Sequence, residues 1–344
     1  MAPAPSWLGL IVPTAAVANR CSSTQERPDD PELTGQCNGK DESGAGSSPP
    51  PTTLTLQEIP ALQETGVFSA VGVRTGGGVI MSGKIRVGVG GWTYEPWRGT
   101  FYPETLSQKL ELQYAAGKLT SIEINGTFYG SQKPQTFAKW RDEAPADFVF
   151  ALKAPRYATH RRVLSEAGST IERFLTGGVL ELKDKLGPIN WQLMPTTKFQ
   201  PDDFEGFLKL LPKQVEGRTL RHAIEARHES FCVPEFVALA REYGVAIVVA
   251  GDSEYPLITD LTAPFVYARI MGTQSKNALG YTKPTLDLWA RRAKSWAKGD
   301  SAEGLEGVSK QKPARVKRDV FLYVISGHKV ANPAAAQALI ERVQ

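Results

Sequence analysis

The sequence has few cysteines and no long apolar run, and these absences exclude several classes of protein. Its three cysteines, Cys21, Cys37 and Cys232, are odd in number and widely separated. They therefore provide neither a disulfide framework nor the paired spacing of a zinc site. No apolar run approaches the roughly 20 residues that a membrane-spanning helix needs. We expect a cytoplasmic protein with no membrane partner.

Positive charge is modest and unevenly distributed. Residues 1–80 carry 4 Lys and Arg against 8 Asp and Glu, a net of −4, and the remainder carries 36 against 28, a net of +8. A mildly basic body attracts anionic ligands, phosphates included. The dense basic stripe of a dedicated DNA-binding module is missing.

The first 80 residues contain little that a core would bury. The stretch "PDDPELTGQCNGKDESGAGSSPPPTT" is rich in Pro, Gly, Ser and acid, which predicts a disordered tail over residues 1–80. The opening "SWLGLIVPTAAVA" has no basic residue before Arg20, unlike a signal peptide, and an exported form stays an alternative. Met81 directly precedes the globular pattern, so a working start there is a second hypothesis.

From Lys84 onward, short β-branched runs alternate with helical patterns. Eight such β–α units in about 260 residues predict one (β/α)8 TIM-type barrel over residues 81–344. A doubly wound open sheet is the competing fold, but no GxGxxG follows a strand. The predicted strands are 85–89, 121–125, 148–153, 189–193, 222–226, 246–250, 265–270 and 320–325.

Two connections are unusual. Only 14 residues separate the sixth and seventh predicted strands, so the helix between them is expected to be short or missing. The segment 299–318 predicts a flexible loop before the last strand.

In a barrel of this kind, functional residues lie at the carboxyl ends of the strands and in the loops that follow. Side chains two residues apart on a strand share a face, which directs Glu123 with Asn125, and Glu225 with Arg227, toward the interior. We predict as catalytic residues Glu123, Lys153, Glu225, Arg227 and His228. We predict as substrate-binding residues Trp92, Tyr94, Arg98, Asn125, Phe128, Tyr129, Arg156, His160, Gln192 and Arg269.

These residue types suit a definite chemistry. A carboxylate among cations can act as a base, and a crowded lysine is lowered toward a neutral pKa. Aromatic faces beside arginines stack on a base or sugar while guanidiniums hold phosphate. Two structural alternatives remain: an internal salt-bridge network that only fixes the barrel, and aromatic rings that only pack its mouth, Trp97 and Phe101 above all.

Metal binding is the less favoured chemistry. The chain has four histidines, His160, His222, His228 and His328, fewer than two-metal and three-metal barrel nucleases use. We predict no cofactor and no metal ligands. A divalent metal held by Glu123, Glu225, His228 and Asp252 is the alternative.

Five motifs in order resemble those of the domain of unknown function 72 family. They are "GVGGWTYEPWRGTFYP", "IEINGTFYG", "FALKAPRYATH", "LGPINWQL" and "IEARHESF", and the likeness covers about residues 84–343. The resemblance implies a (β/α)8-type barrel. The family's similarity to xylose isomerase and endonuclease IV barrels suggests sugar-phosphate or nucleic-acid chemistry.

The resemblance also marks individual positions. The matched ones are Gly91, Trp92, Tyr94, Trp97, Arg98, Phe101, Tyr102, Pro103, Glu123, Asn125, Phe128, Tyr129, Lys153, Pro155, Arg156, His160, Glu225, Arg227 and His228. At two places the sequence departs from the family pattern, and the roles of the residues there are in doubt. Gly251 precedes Asp252 where the family has an aspartate directly after the strand. The run "YVISGHKVANPAAAQAL" replaces an acidic, asparagine-rich end, so Ser326 or His328 would have to take over that role.

The sequence therefore predicts an enzyme, a hydrolase or isomerase. Its substrate would be a phosphate-bearing sugar or a nucleic-acid-derived molecule, transformed by carboxylate acid/base chemistry. The first alternative is a non-catalytic module that binds a nucleic acid or nucleotide. The second is a metal-dependent isomerase or endonuclease-like enzyme. In each case the partner is an anionic ligand.

Overall fold

A computed structural model of the chain describes residues 82–344. The predicted disordered tail over residues 1–80 and the alternative start at Met81 lie outside the described residues. None of the helices within 82–344 is long and apolar enough to cross a bilayer.

Eight parallel strands close into a barrel, and each strand pairs with its neighbours in chain order until the eighth pairs with the first. The predicted (β/α)8 barrel is confirmed. In order, the strands are Ile85–Gly90, Ser121–Ile124, Val149–Lys153, Leu186–Gln192, His222–Glu225, Ala246–Gly251, Phe265–Ile270 and Asp319–Val324.

Helices surround the barrel. Several begin on proline, which fits the first helical turn because its amide proton is not needed there. The α-helices are Glu111–Lys118, Gly126–Tyr129, Pro134–Glu143, Arg156–Thr159, Gly168–Thr176, Pro201–Lys209, Pro234–Tyr243, Lys283–Lys298 and Asn332–Val343. The 3-10 segments are Glu95–Trp97, Gln108–Leu110, Leu164–Glu166, Val179–Lys185, Glu229–Phe231 and Lys329–Ala331.

The fourth strand begins earlier than its sequence predicts. The predicted strand starts at Ile189, yet Leu186 already pairs with Phe150. The register shifts between Phe150 and Leu152, an irregularity of the kind that accommodates glycine and proline in a strand.

Both unusual connections have the expected secondary structure. Residues 252–264 contain no helix, as the short spacing predicted. Residues 299–318 contain no helix or strand. Part of this loop is fixed by Asp260, whose carboxylate accepts hydrogen bonds from the amides of Val308 at 2.6 Å and Ser309 at 3.1 Å. An antiparallel hairpin, Gln214–Val215 with Arg218–Thr219, precedes the fifth strand.

The barrel interior is layered along its axis. Near the amino ends of the strands it is apolar and aromatic, with Phe265 packed edge-on against Phe321 and Tyr267 tilted against Tyr323. A second apolar layer between strands and helices includes Val87 and Trp191. Ser121 adds one polar group to the interior layer near the amino ends, since its buried hydroxyl lies 2.7 Å from the Tyr323 hydroxyl.

Candidate functional site

Charged and amide side chains gather inside the barrel at the carboxyl ends of five strands. The strand pleat directs alternate residues inward, so each strand supplies one or two of them. These side chains are Glu123, Lys153, Asn190, Gln192, Glu225 and Arg269, and all are buried.

Arg269 is the centre of this cluster. Its Nη2 lies 3.1 Å from Glu123 Oε1, and its Nη1 lies 2.7 Å from Glu225 Oε2. Both carboxylates are fully buried and Arg269 is 3% exposed. One guanidinium therefore compensates two carboxylates from opposite sides of the barrel, as burial of charge requires.

Uncharged side chains also donate to the two carboxylates. Tyr267 donates its hydroxyl to Glu123 Oε2 at 2.6 Å, and Asn190 donates Nδ2 to Glu225 Oε2 at 2.9 Å. Burial alone would raise the pKa of Glu225, but Arg269, Arg227 and the Asn190 amide outweigh it and hold that pKa at about 2. Glu225 is thus ionised throughout the physiological pH range.

Arg227 lies over this cluster at the end of the fifth strand. Its Nε donates to Glu225 Oε1 at 2.8 Å, and its Nη2 donates to Gln192 Oε1 at 2.7 Å. The guanidinium also lies 4.2 Å from the ring centre of Tyr255, a cation–π distance. Arg227 is therefore held in one orientation before any ligand arrives.

A pocket of about 400 Å³ opens above the cluster, and we call it the mouth pocket. Of the described residues that line it, four are cationic and none is acidic. Glu123 and Glu225 lie beneath it, behind Arg269. The lining residues are Gly90, Asn125, Phe128, Tyr129, Lys153, Gln192, Arg227, Arg269, Ile325, Ser326, Lys329 and Asn332.

Lys153 differs from the arginines of the mouth pocket because its charge is not paired. It is 6% exposed, and its Nζ lies 4.0 Å from the ring centre of Phe128. Within residues 82–344 no acceptor lies within hydrogen-bonding distance of that nitrogen. Burial lowers the pKa of Lys153 to about 8. Glu123 opposes this shift, but Arg269 partly cancels the effect of Glu123.

His160 also contacts the Phe128 ring. The two rings meet edge to face at 5.2 Å. Burial lowers the pKa of His160, and the charges of Lys153 and Arg156 lower it further. His160 Nε2 is buried and has no partner among the described residues. The lowered pKa favours the neutral imidazole, which packs against the same ring as Lys153.

A second, smaller pocket adjoins the first and shares Gly90, Asn125 and Lys329 with it. Its volume is about 270 Å³. Trp92 and Trp140 line it and pack edge to face at 5.3 Å. We call it the tryptophan pocket. Its aromatic wall and its continuity with a cationic pocket suit a ligand with one ring-like and one anionic end.

Seven of the predicted site residues line the mouth pocket: Lys153, Arg227, Asn125, Phe128, Tyr129, Gln192 and Arg269. Glu123 and Glu225 support it from below, and Trp92 lines the tryptophan pocket. Tyr94 contacts it indirectly, since Lys329 Nζ lies 4.2 Å from its ring centre.

Three predicted residues lie away from these pockets. Arg98 pairs with the buried carboxylate of Glu111 at 2.6 Å, which fixes the first loop to a helix. His228 caps the 3-10 turn Glu229–Phe231, and its Nδ1 accepts from the Ser230 amide at 3.1 Å. Arg156 is exposed at the rim, 5.3 Å from the ring centre of Tyr157.

The two departures from the family pattern have different outcomes. Asp252 adopts a left-handed φ of 53° and accepts a hydrogen bond from Trp289 Nε1 at 2.8 Å, so its carboxylate faces a helix instead of the mouth pocket. Ser326 lines the mouth pocket, whereas His328 lines a separate cavity with Phe101. Of the two suggested replacements, only Ser326 lines the mouth pocket.

The alternative metal ligands are not brought together. Across residues 82–344, no three His, Cys, Asp or Glu side chains converge in a way that could hold a metal ion. Glu123 and Glu225 share Arg269, while His228 and Asp252 have the separate contacts described above.

Sequence reasoning missed Lys329, Asn190, Tyr267 and Tyr255. Two of these carry a readable signal, since Tyr267 and Asn190 stand two residues before Arg269 and Gln192 and so share their inward face. Lys329 and Tyr255 come from loops, and no periodicity predicts which way their side chains turn.

Comparison with known proteins agrees with this architecture. Residues 86–344 match the family described as "Protein of unknown function DUF72". The chain belongs to this family. A curated relative, the UPF0759 protein YecE of Escherichia coli (strain K12), is 28% identical over 123 residues. That alignment covers 35% of this chain and 42% of YecE, so this chain matches less than half of the length of its relative.

Two solved DUF72 structures have the same fold. The protein from Thermotoga maritima has 21% identity and a TM-score of 0.56, covering 75% of this chain and 97% of the other. The protein from Enterococcus faecalis has 16% identity and a TM-score of 0.56, covering 75% and 95%. At this identity the likeness concerns the fold alone.

Proposed function

We propose that this chain is an enzyme that binds a phosphate-bearing sugar or nucleic-acid-derived substrate in the mouth pocket, and that Lys153 carries the proton of the reaction. One observation supports this above all others: the described lining of the pocket contains Lys153, Arg227, Arg269 and Lys329 but no acidic residue. A pocket with that lining attracts anions and repels cations.

The charge balance fits a phosphate. The four lining cations oppose the two buried carboxylates Glu123 and Glu225, which leaves a net of +2. A phosphate monoester carries about −1.5 to −2 at neutral pH. Arg227 and Arg269 are already oriented by their carboxylate partners, and both line the pocket, so they present fixed positive charge to a bound phosphate.

Lys153 is better suited to proton transfer than either carboxylate. All four oxygens of Glu123 and Glu225 accept hydrogen bonds or ion pairs from protein groups, and neither residue lines the pocket. A pKa of about 8 lets Lys153 lose and regain a proton near neutral pH. Acid/base roles for Glu123 and Glu225 remain predictions, and the contacts favour their holding Arg227 and Arg269 in place.

Calorimetric titration with inorganic phosphate, sugar phosphates and nucleotides tests the proposal. We expect at least one phosphate-bearing ligand to bind, and Lys153→Met to weaken it about 10-fold or more, the cost of losing a charge-assisted contact. Lys294→Met is the control, because Lys294 is exposed on the helix Lys283–Lys298. Equal affinity in both variants, or no binding by the wild type, would refute the proposal.

A non-catalytic nucleic-acid binder is the second candidate, and the rim favours it. Tyr129 and Tyr157 are 64% and 63% exposed, and Arg156 lies beside Tyr157. Exposed rings and cations suit stacking on single-stranded bases. This candidate predicts salt-sensitive retention of single-stranded oligonucleotides, lost in Tyr129→Ala with Tyr157→Ala, and no turnover of any phosphate-bearing substrate.

A further inference from the structure

The backbone of Lys153 is fixed, while its amine is free. The residue ends the third barrel strand, and its carbonyl accepts the Thr127 hydroxyl at 2.7 Å. The side chain crosses the Phe128 ring and reaches the mouth pocket. Because no acceptor among the described residues holds the nitrogen, it can approach a bound ligand without breaking a hydrogen bond or an ion pair.

Nucleophilic amines in proteins arise under these conditions. A lysine in a desolvated pocket, next to other cations, loses its proton readily and can attack a carbonyl carbon. Relative to an ordinary lysine of pKa 10.5, a pKa of about 8 raises the free-amine fraction at neutral pH on the order of 100-fold. Arg227 and Arg269 line the same pocket and supply the neighbouring cations.

We propose that Lys153 captures the carbonyl carbon of its substrate as an imine, so that the substrates of this site are phosphate-bearing aldehydes or ketones, such as open-chain sugar phosphates. This inference rests on the proposed function and narrows its substrate class. The arginines would hold the phosphate while the amine reaches the carbonyl.

The chemistry balances without any further reagent. The nitrogen lone pair attacks the carbonyl carbon, and the carbonyl π electrons move to oxygen to give a carbinolamine. The oxygen then leaves as water with the two protons that the neutral amine loses, and a carbon–nitrogen double bond remains. Once its nitrogen takes up a proton from solvent, the iminium can withdraw electrons from a neighbouring carbon.

A second lysine of the mouth pocket allows an internal comparison with Lys153. Lys329 also lines it, and burial lowers its pKa as well. Its Nζ lies 4.2 Å from the ring centre of Tyr94, much as Lys153 Nζ lies over Phe128. Lys329 is less buried than Lys153 and comes from the loop after the eighth strand. If partial burial beside an aromatic ring were sufficient, both lysines would react alike.

Reductive trapping tests the inference. The full chain is incubated with glyceraldehyde 3-phosphate, reduced with borohydride, digested and mapped by mass spectrometry. We expect Lys153 to be modified about 10-fold faster or more than Lys329 or any exposed lysine, as its free-amine fraction requires. Lys153→Arg keeps the charge and should abolish the rapid phase, whereas Lys294→Arg should preserve it. Uniform labelling, or preference for another lysine, would overturn the inference.

Two further arms separate this inference from the proposed function. Glyceraldehyde without phosphate should label Lys153 more slowly, and inorganic phosphate should protect it. If phosphate binds but Lys153 is not trapped, the imine is wrong while the phosphate site stands. If glyceraldehyde and its phosphate trap Lys153 equally and phosphate does not bind, the imine stands and the proposed phosphate site is wrong.

Discussion

Arg269 and Glu225 meet through two hydrogen bonds from one nitrogen, since Arg269 Nη1 lies 2.9 Å from Glu225 Oε1 and 2.7 Å from Oε2. The other terminal nitrogen of Arg269 contacts Glu123. The interior of the barrel therefore contains a carboxylate–guanidinium–carboxylate triad with almost no access to water. Loss of one member of this triad should lower the free energy of unfolding more than loss of a surface ion pair does.

The first prediction concerns this triad. Arg269→Met leaves two buried carboxylates without their shared cation, and we expect it to lower the free energy of unfolding by about 3–5 kcal/mol. Urea unfolding followed by circular dichroism measures the change. Arg291→Met is the control: its pair with Glu303 at 3.0 Å is 56% and 60% exposed, so the loss should stay within about 1 kcal/mol. Similar losses in both variants would contradict the proposed arrangement.

How much of this triad the sequence predicts depends on the element that carries each residue. Strand parity correctly directs Glu123 and Glu225 inward, because alternate residues of a strand share a face. The sequence cannot show that Arg269 lies between them, since that contact joins strands 146 and 44 residues apart. Loop residues are harder still, and His228 illustrates this: its side chain turns back to its own loop at Ser230.

The second prediction concerns the pH dependence of stability. The pKa of Lys153 is about 8 in the folded protein against 10.5 for the ordinary side chain. Between these values the unfolded chain binds more protons, so stability attributable to this group rises with pH. We expect the wild type to gain about 2.5 kcal/mol relative to Lys153→Met between about pH 7 and pH 10. Urea unfolding of both proteins at the two pH values measures the difference.

The comparison cancels the other groups that titrate over the same range. Only the difference between wild type and variant is assigned to Lys153. A difference that stays constant with pH would mean that the amine has an ordinary pKa, and both the proton-transfer role and the imine would lose their support.

The third prediction contrasts two glycines of the first strand. A Cβ at Gly88 would lie 1.9 Å from the Ser121 carbonyl oxygen, which is backbone and cannot turn away. A Cβ at Gly90 would meet only the Asn125 amide at 2.7 Å and an Ile325 methyl at 2.9 Å, both of them ends of side chains. We expect Gly88→Ala to lower the free energy of unfolding by about 3 kcal/mol or more, and Gly90→Ala by about 1 kcal/mol.

Affinity for phosphate should rank the same two variants in the opposite order from stability. Gly90 and Asn125 line both the mouth pocket and the tryptophan pocket, so Gly90→Ala moves a wall that both share. We expect it to weaken ligand binding while the protein stays folded at 25 °C. A Gly90→Ala variant with unchanged affinity would show that ligands do not reach the junction.

The last prediction concerns the aromatic cluster of the first loop. Trp97 is fully buried, contacts Phe101 and Tyr102, and donates Nε1 to the Lys329 carbonyl at 2.9 Å. Trp92 is only partly buried and faces the tryptophan pocket. We expect Trp97→Ala to cost about 3–5 kcal/mol of stability, because a large buried ring leaves a cavity.

Trp92→Ala should cost less stability, because its ring already borders open space, and more ligand affinity, because base or sugar stacking is worth about 1–3 kcal/mol per ring. Urea unfolding and calorimetric titration of both variants provide the four values. The two tryptophans stand five residues apart in one loop, so a shared loop disturbance would affect both measurements in both variants. Opposite rankings in stability and affinity would instead separate the ring that packs the barrel from the ring that contacts a ligand.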